Sequence, residues 1–118
     1  MSLDKREEEL KRIYTQVQKK TLPDGSGLIR VHGLTLAKGC VPERTDMLLT
    51  FPANQNVPNG RYVKDPVKLS SGRSPAYSPT TLDGETWYGF SYNVQWNPNY
   101  DVLYQYVESI LTRFAKSE

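Results

Sequence analysis

The stretch WYGFSYNVQWNPNYDVLYQYVESIL, residues 87–111, decides how this chain is read. Its first part is aromatic and strand-like, running as TWYGFSY when Thr86 is included. In its last part Leu103, Val107, Ile110 and Leu111, continued by Phe114, recur at helical spacing and make one apolar face. Between the two, Asn97 is a good N-cap and Pro98 suits the first helical position. The stretch therefore predicts a strand running into a helix that lies on a sheet. Trp87, Phe90 and Trp96 are the expected core anchors, because large aromatics dominate buried contacts. Tyr88 and Tyr92, on the other face of the strand, are expected to join Tyr100 and Tyr104 at the helix start in an exposed platform.

Upstream, from Leu28 to about Tyr92, short segments with strand character alternate with turn residues. LIRVHGLTL is β-branched and apolar up to Lys38-Gly39, TDMLLTF is stopped by Pro52, and the Pro66 of GRYVKDPVKL favours an edge or a strand end. TWYGFSY is the fourth strand. SSGRSPAYSPTTLDGE, residues 70–85, reads as a long loop because it is rich in Ser, Pro and Gly. At the N-terminus, SLDKREEELKRIYTQVQKK predicts a surface helix capped by Ser2 or Asp4, with Lys19 and Lys20 in its last turn. Leu3, Leu10, Ile13, Tyr14 and Val17 form its apolar stripe, and LPDGSG ends it. The resulting order is helix, four-stranded antiparallel meander, long loop, helix, an α+β sandwich.

A chain of 118 residues makes one domain, 1–118, and 37% hydrophobic with 24% charged residues is an ordinary globular composition. A net charge of +2 carried by scattered Lys and Arg does not form the dense basic patch that nucleic-acid binding requires. No apolar run approaches a membrane span and nothing resembles a signal peptide. The single Cys40 cannot make an internal disulfide, so a reducing, cytoplasmic setting is expected. One His and one Cys cannot assemble a metal site of three or four such ligands, and no phosphate-binding glycine loop or nucleophile elbow is present, so no cofactor is expected. His32, inside a strand segment, reads as structural. Cys40, in the turn KGCVPER, has Lys38 and Arg44 nearby in sequence but no adjacent base, and it too reads as structural.

Three segments together carry a family resemblance: GLTLAKGCVPERTDMLLTFP, VPNGRYVKDPVKLSSGRSP and ETWYGFSYNVQWNPNYDVLYQYVESIL. Their order, with Trp87, Ser91 and Trp96 followed by Asp101 and Leu103, resembles the ubiquitin-conjugating enzymes, the UBC-like fold. Within it the chain looks most like a bacterial branch, the prokaryotic ubiquitin-conjugating-enzyme-like family E. The resemblance implies partners among ubiquitin-like proteins, activating-enzyme-like adenylating proteins and metal-dependent deconjugating peptidases, in a bacterial conjugation or antiphage defence setting. It also implies a catalytic Cys after a His-Pro-Asn segment, in the loop before the Trp-Pro helix. Residues 70–96 contain neither Cys nor His, and Asn97-Pro98-Asn99 only imitates that motif. Without a thiol no thioester forms. The expected function is thus that of a catalytically inactive binding or scaffold protein. The alternatives are an enzyme using Cys40 as an atypical thioester site and a structural, self-assembling subunit. The expected binding residues are Arg73, Tyr77, Tyr88, Ser91, Tyr92, Asn93 and Tyr100.

Overall fold

The computed structural model describes residues 3–74, 76–90, 96–97 and 102–114. Hairpin turns organise most of it. In LPDGSG, Gly25 takes φ +90°, its N–H donates to the Leu22 carbonyl at 2.9 Å, and the Leu22 N–H donates to the Ser26 carbonyl at 2.8 Å. The positive φ costs glycine nothing. This turn joins β1 (Val17–Thr21) to β2 (Gly27–Thr35). Asp83 and Gly84, with φ +51° and +81°, form a second turn between β5 (Ser78–Leu82) and β6 (Glu85–Gly89). Two consecutive residues at positive φ match the twist of a two-residue hairpin. With β3 (Arg44–Phe51) and β4 (Gly60–Val63), these strands form one six-stranded antiparallel sheet in the order β1-β2-β3-β4-β6-β5.

The sheet covers its two faces differently. Ile29, Val31, Met47, Leu49, Phe51, Val63 and Phe90 project to one side. There they meet Leu10 of α1 (Asp4–Lys11) and Leu103, Tyr106, Val107, Ile110 and Phe114 of α2 (Leu103–Phe114), all buried. On the opposite side, period-2 alternation brings Leu28, Leu48 and Trp87 into a smaller cluster with Leu22, Tyr62 and Leu82. Two apolar faces explain why TDMLLTF reads as a run: Met47 and Leu49 face the helices while Leu48 faces the second cluster.

The α+β class and the packing of α2 on the sheet agree with the sequence, and two elements do not. Among the described residues six strands are present where four were expected, and both additional strands are sheet edges. β1 takes the last four residues of the expected N-terminal helix, so Lys19 and Lys20 pair with Ile29 and Leu28 in a ladder. β5 lies inside the expected 70–85 loop and pairs with β6. The four expected strands survive as the central β2-β3-β4-β6 segment, in their expected order, although GRYVKDPVKL contributes only Gly60–Val63 to β4. Neither helix cap is as expected. Leu3 occupies the N-cap position of α1 without a side-chain cap, and α2 begins at Leu103, so Asn97 does not cap it. Ser2 and Pro98 lie outside the described residues.

Candidate functional site: the junction of sheet and second helix

The N-terminus of α2 is capped from another element. Glu9 of α1, 3% exposed, accepts a hydrogen bond from the Leu103 N–H at 2.8 Å, and Gln105 reaches back to the Val102 N–H at 2.9 Å. Both bonds satisfy amides that a helix start leaves without partners, and Glu9 places negative charge at the positive end of the helix dipole. Arg6, 4% exposed, pairs with Glu9 at 2.9 Å and donates through Nε to the Asn56 carbonyl at 3.0 Å. Removal of one partner would leave a buried charge uncompensated.

The same Arg6 opens a ladder of cations and rings across the junction. Its guanidinium stands 5.0 Å from the Trp96 ring centroid; Trp96 meets Tyr106 edge-on at 5.5 Å and 82°; Arg61 stands 5.8 Å from the Tyr106 ring. Trp96 also donates its indole N–H to the Val102 carbonyl at 2.9 Å. Desolvation raises the Tyr106 phenol above the usual tyrosine range, opposed by the charge and hydrogen bond of Arg61. The aromatic density at this junction thus closes the core, binds α1 to α2 and holds two arginines in place.

Arg73, Tyr77 and Tyr88, of the expected binding residues, can be placed. Tyr88 lies opposite Trp87, as strand alternation requires, but it shares the helix-side face with Phe90. It is half-buried and packs against Tyr77, with ring centroids 6.5 Å apart at 84°. Tyr77 in turn meets Phe90 at 6.1 Å, and its hydroxyl both accepts from the Val67 N–H at 3.0 Å and donates to the Val67 carbonyl at 2.9 Å. Tyr77 therefore fastens the segment before β5 to the body of the domain, a role its place in a Ser/Pro-rich stretch does not signal. Arg73 is exposed on the turn between β4 and β5, where its carbonyl accepts from the Leu69 N–H at 2.7 Å. Ser91, Tyr92, Asn93 and Tyr100 lie outside the described residues. Trp87 and Phe90 are buried, on opposite faces, and Trp96 is half-buried against the core.

Cys40 is 1% exposed, with Sγ 3.6 Å from the Phe114 carbonyl oxygen at the end of α2. His32 is held between Gln18, 2.8 Å from Nε2, and Asp46, 3.3 Å from Nδ1. Among the described residues, no group of three or more His, Cys, Asp and Glu is placed to hold a metal ion, and no helix is long and apolar enough to cross a membrane. No protein-family model, curated protein or solved structure matches this chain.

The face away from the helices carries a site that sequence reading missed. Arg30 and Lys64 stand 4.9 and 5.5 Å from the Trp87 ring centroid. Arg30 is oriented by Asp46 at 2.6 Å and Glu85 at 2.8 Å, and Lys64 lies 3.8 Å from Glu85. Beside this network is a cavity of about 210 Å³, floored by Leu28, Leu48, Leu82 and Trp87. Lys20 of β1 and Asp83 of the β5–β6 turn, from opposite edges of the sheet, meet at 2.8 Å on its rim. Such a contact requires the sheet to curl. The alternation of Trp87 with Tyr88 signals two occupied faces in the sequence, but the cation network depends on residues up to 55 positions apart.

Proposed function

We propose that this chain is a catalytically inactive UBC-like domain that acts as a binding or scaffold partner in a bacterial ubiquitin-like conjugation or defence system. The observation that carries the inactive reading is the placement of Cys40: the chain's single thiol is 1% exposed and its sulfur is directed at the backbone of α2. Attack on an activated carboxyl group needs an accessible thiolate. Further support comes from the element order. A helix precedes the sheet, the expected strands β2, β3, β4 and β6 are consecutive neighbours within its six strands, a second helix follows, and both helices share one core. Residues 70–96, which include the loop before Trp96 where the resemblance implies the catalytic Cys, contain neither Cys nor His.

Binding is assigned to the junction of the β5–β6 hairpin and α2, with Arg73, Tyr77, Tyr88, Ser91, Tyr92, Asn93 and Tyr100 as contact residues. Tyrosines combine large contact area with a polar tip, which favours them at protein interfaces. The test supplies a ubiquitin-like protein, its adenylating enzyme and ATP. Expected is binding without a covalent adduct, and a loss above about 2 kcal/mol on Tyr88→Ala in protein shown to remain folded. A reductant-sensitive adduct on the wild type that disappears in Cys40→Ala would overturn the inactive reading.

A further inference from the structure

The two edges of the sheet differ in what they offer to another chain. In β5, the two-residue turn at Asp83-Gly84 makes Leu82 and Glu85 the first bonded pair, so Thr80 also bonds inward to β6 while Pro79 and Thr81 face outward. Pro79 has no N–H, which leaves that edge a single outward donor, from Thr81. In β1, the bonds from the Leu22 N–H to the Ser26 carbonyl and from the His32 N–H to the Gln16 carbonyl set the same alternation. Gln18 and Lys20 bond to β2, and Val17, Lys19 and Thr21 turn both N–H and C=O away from the sheet. Val17 is 7% exposed, so the open part of this edge is its Lys19–Thr21 end, where neither outward residue is a proline, and that end makes a template for strand addition.

The geometry points to the β1 edge as a strand-addition site for an extended segment of a partner polypeptide that places an acidic side chain opposite Lys19. Lys19 is an outward residue whose side chain is 27% exposed, and its ammonium is paired with Asp4, a carboxylate 67% exposed. An ion pair that open to water contributes little and exchanges readily for another carboxylate. Lys19 and Thr21 also line a cavity of about 420 Å³ with Leu3, Asp4, Gly27 and Pro52, which gives alternate side chains of an added strand somewhere to lie. A second copy of this chain fits the edge less well. Two-fold pairing of β1 with itself sets Lys19 against Lys19, and like charges directly opposite one another destabilise a ladder. The lysine thus guards against self-pairing and selects for acid.

The probe is a seven-residue acetylated and amidated peptide with alternating valine and glutamate between terminal threonines; its counterpart carries lysine in place of glutamate. Each is titrated into the full chain labelled with nitrogen-15. The acidic peptide is expected to move the amide signals of Lys19 and Thr21 saturably and to slow their hydrogen exchange, with Thr81 unaffected. The lysine peptide should bind weaker by at least about fivefold, and Lys19→Glu should invert that order. Thr21→Pro, which deletes one outward N–H and no bond to β2, should weaken the acidic peptide while the amides of Gln18 and Lys20 report an intact strand. The inference is overturned if the Lys19 and Thr21 amides do not move, if both peptides bind equally, or if the same amides shift with protein concentration alone as the molecular mass doubles, since a second copy is then the occupant.

Discussion

At the scale of single residues, the domain leaves few buried polar atoms to be explained, and Tyr14 is the clearest. Its hydroxyl is buried and has no hydrogen-bond partner among the described residues. Desolvation, reinforced by the negative charge of Glu108, pushes its pKa up to about 12. A phenol with a raised folded pKa contributes stability that is fully present below its unfolded value of about 10 and is lost as pH rises towards 12. Tyr14→Phe removes both the unsatisfied hydroxyl and this alkaline dependence. Chemical denaturation should show the variant at least as stable as the wild type at neutral pH, with a gain of up to about 1 kcal/mol, and a flatter decline between pH 10 and 12. A loss at neutral pH would mean that the hydroxyl has a partner. Tyr14 was legible only as part of an apolar stripe, because sequence spacing reports which side of an element is apolar and not whether a polar tip finds a donor.

At the scale of elements, α2 and α1 show opposite degrees of legibility. The face read from spacing in α2 is the face that packs: Leu103, Val107, Ile110 and Phe114 are buried and Leu111 is half-buried. Ile110→Ala and Phe114→Ala should each lower stability by roughly 2 to 5 kcal/mol in thermal or denaturant unfolding, because both side chains are lost from a packed core. Unchanged stability in both variants would mean that α2 does not pack through this face. In α1 the apolar stripe ran past the true end of the helix. Leu10 is buried as expected, but Ile13 is 51% exposed, and Val17 is buried as a strand residue. Val17 sits at an interval compatible with either period, and pairing with β2 settles which one applies. The missed β5 did have a local signal. Asp83-Gly84 between PTTL and ETWY is a hairpin pattern, outweighed in the sequence reading by the Ser, Pro and Gly before it.

At the scale of the whole molecule, Asp46 ties the curled face of the sheet together. It receives the Gly33 N–H at 2.8 Å, where β2 bulges between Val31 and Leu34 with Gly33 at φ +64°, and it pairs with Arg30. Desolvation works to raise its pKa, but the Gly33 hydrogen bond, Arg30 and His32 together hold it below the usual carboxylate range. With a depressed folded pKa, its contribution is fully present above the unfolded value of about 3.9 and is lost as pH falls through the lower folded value. Asp46→Asn should therefore be less stable than the wild type at pH 7, with the difference shrinking in acid. A deficit that stayed constant down to pH 2 would assign the effect to shape and not to charge. By itself the sequence determined the α+β class, the four central strands and the packing face of α2. Each of these rests on apolar residues repeating at a local period, and burial enforces that period. Tertiary structure alone decided the strand character of β1, the capping of α2 by Glu9, the burial of Cys40 and the cation network on Trp87. Edge strands bury little and carry a weak apolar pattern, while caps and ion pairs join residues far apart in the chain, so only the folded arrangement selects their partners.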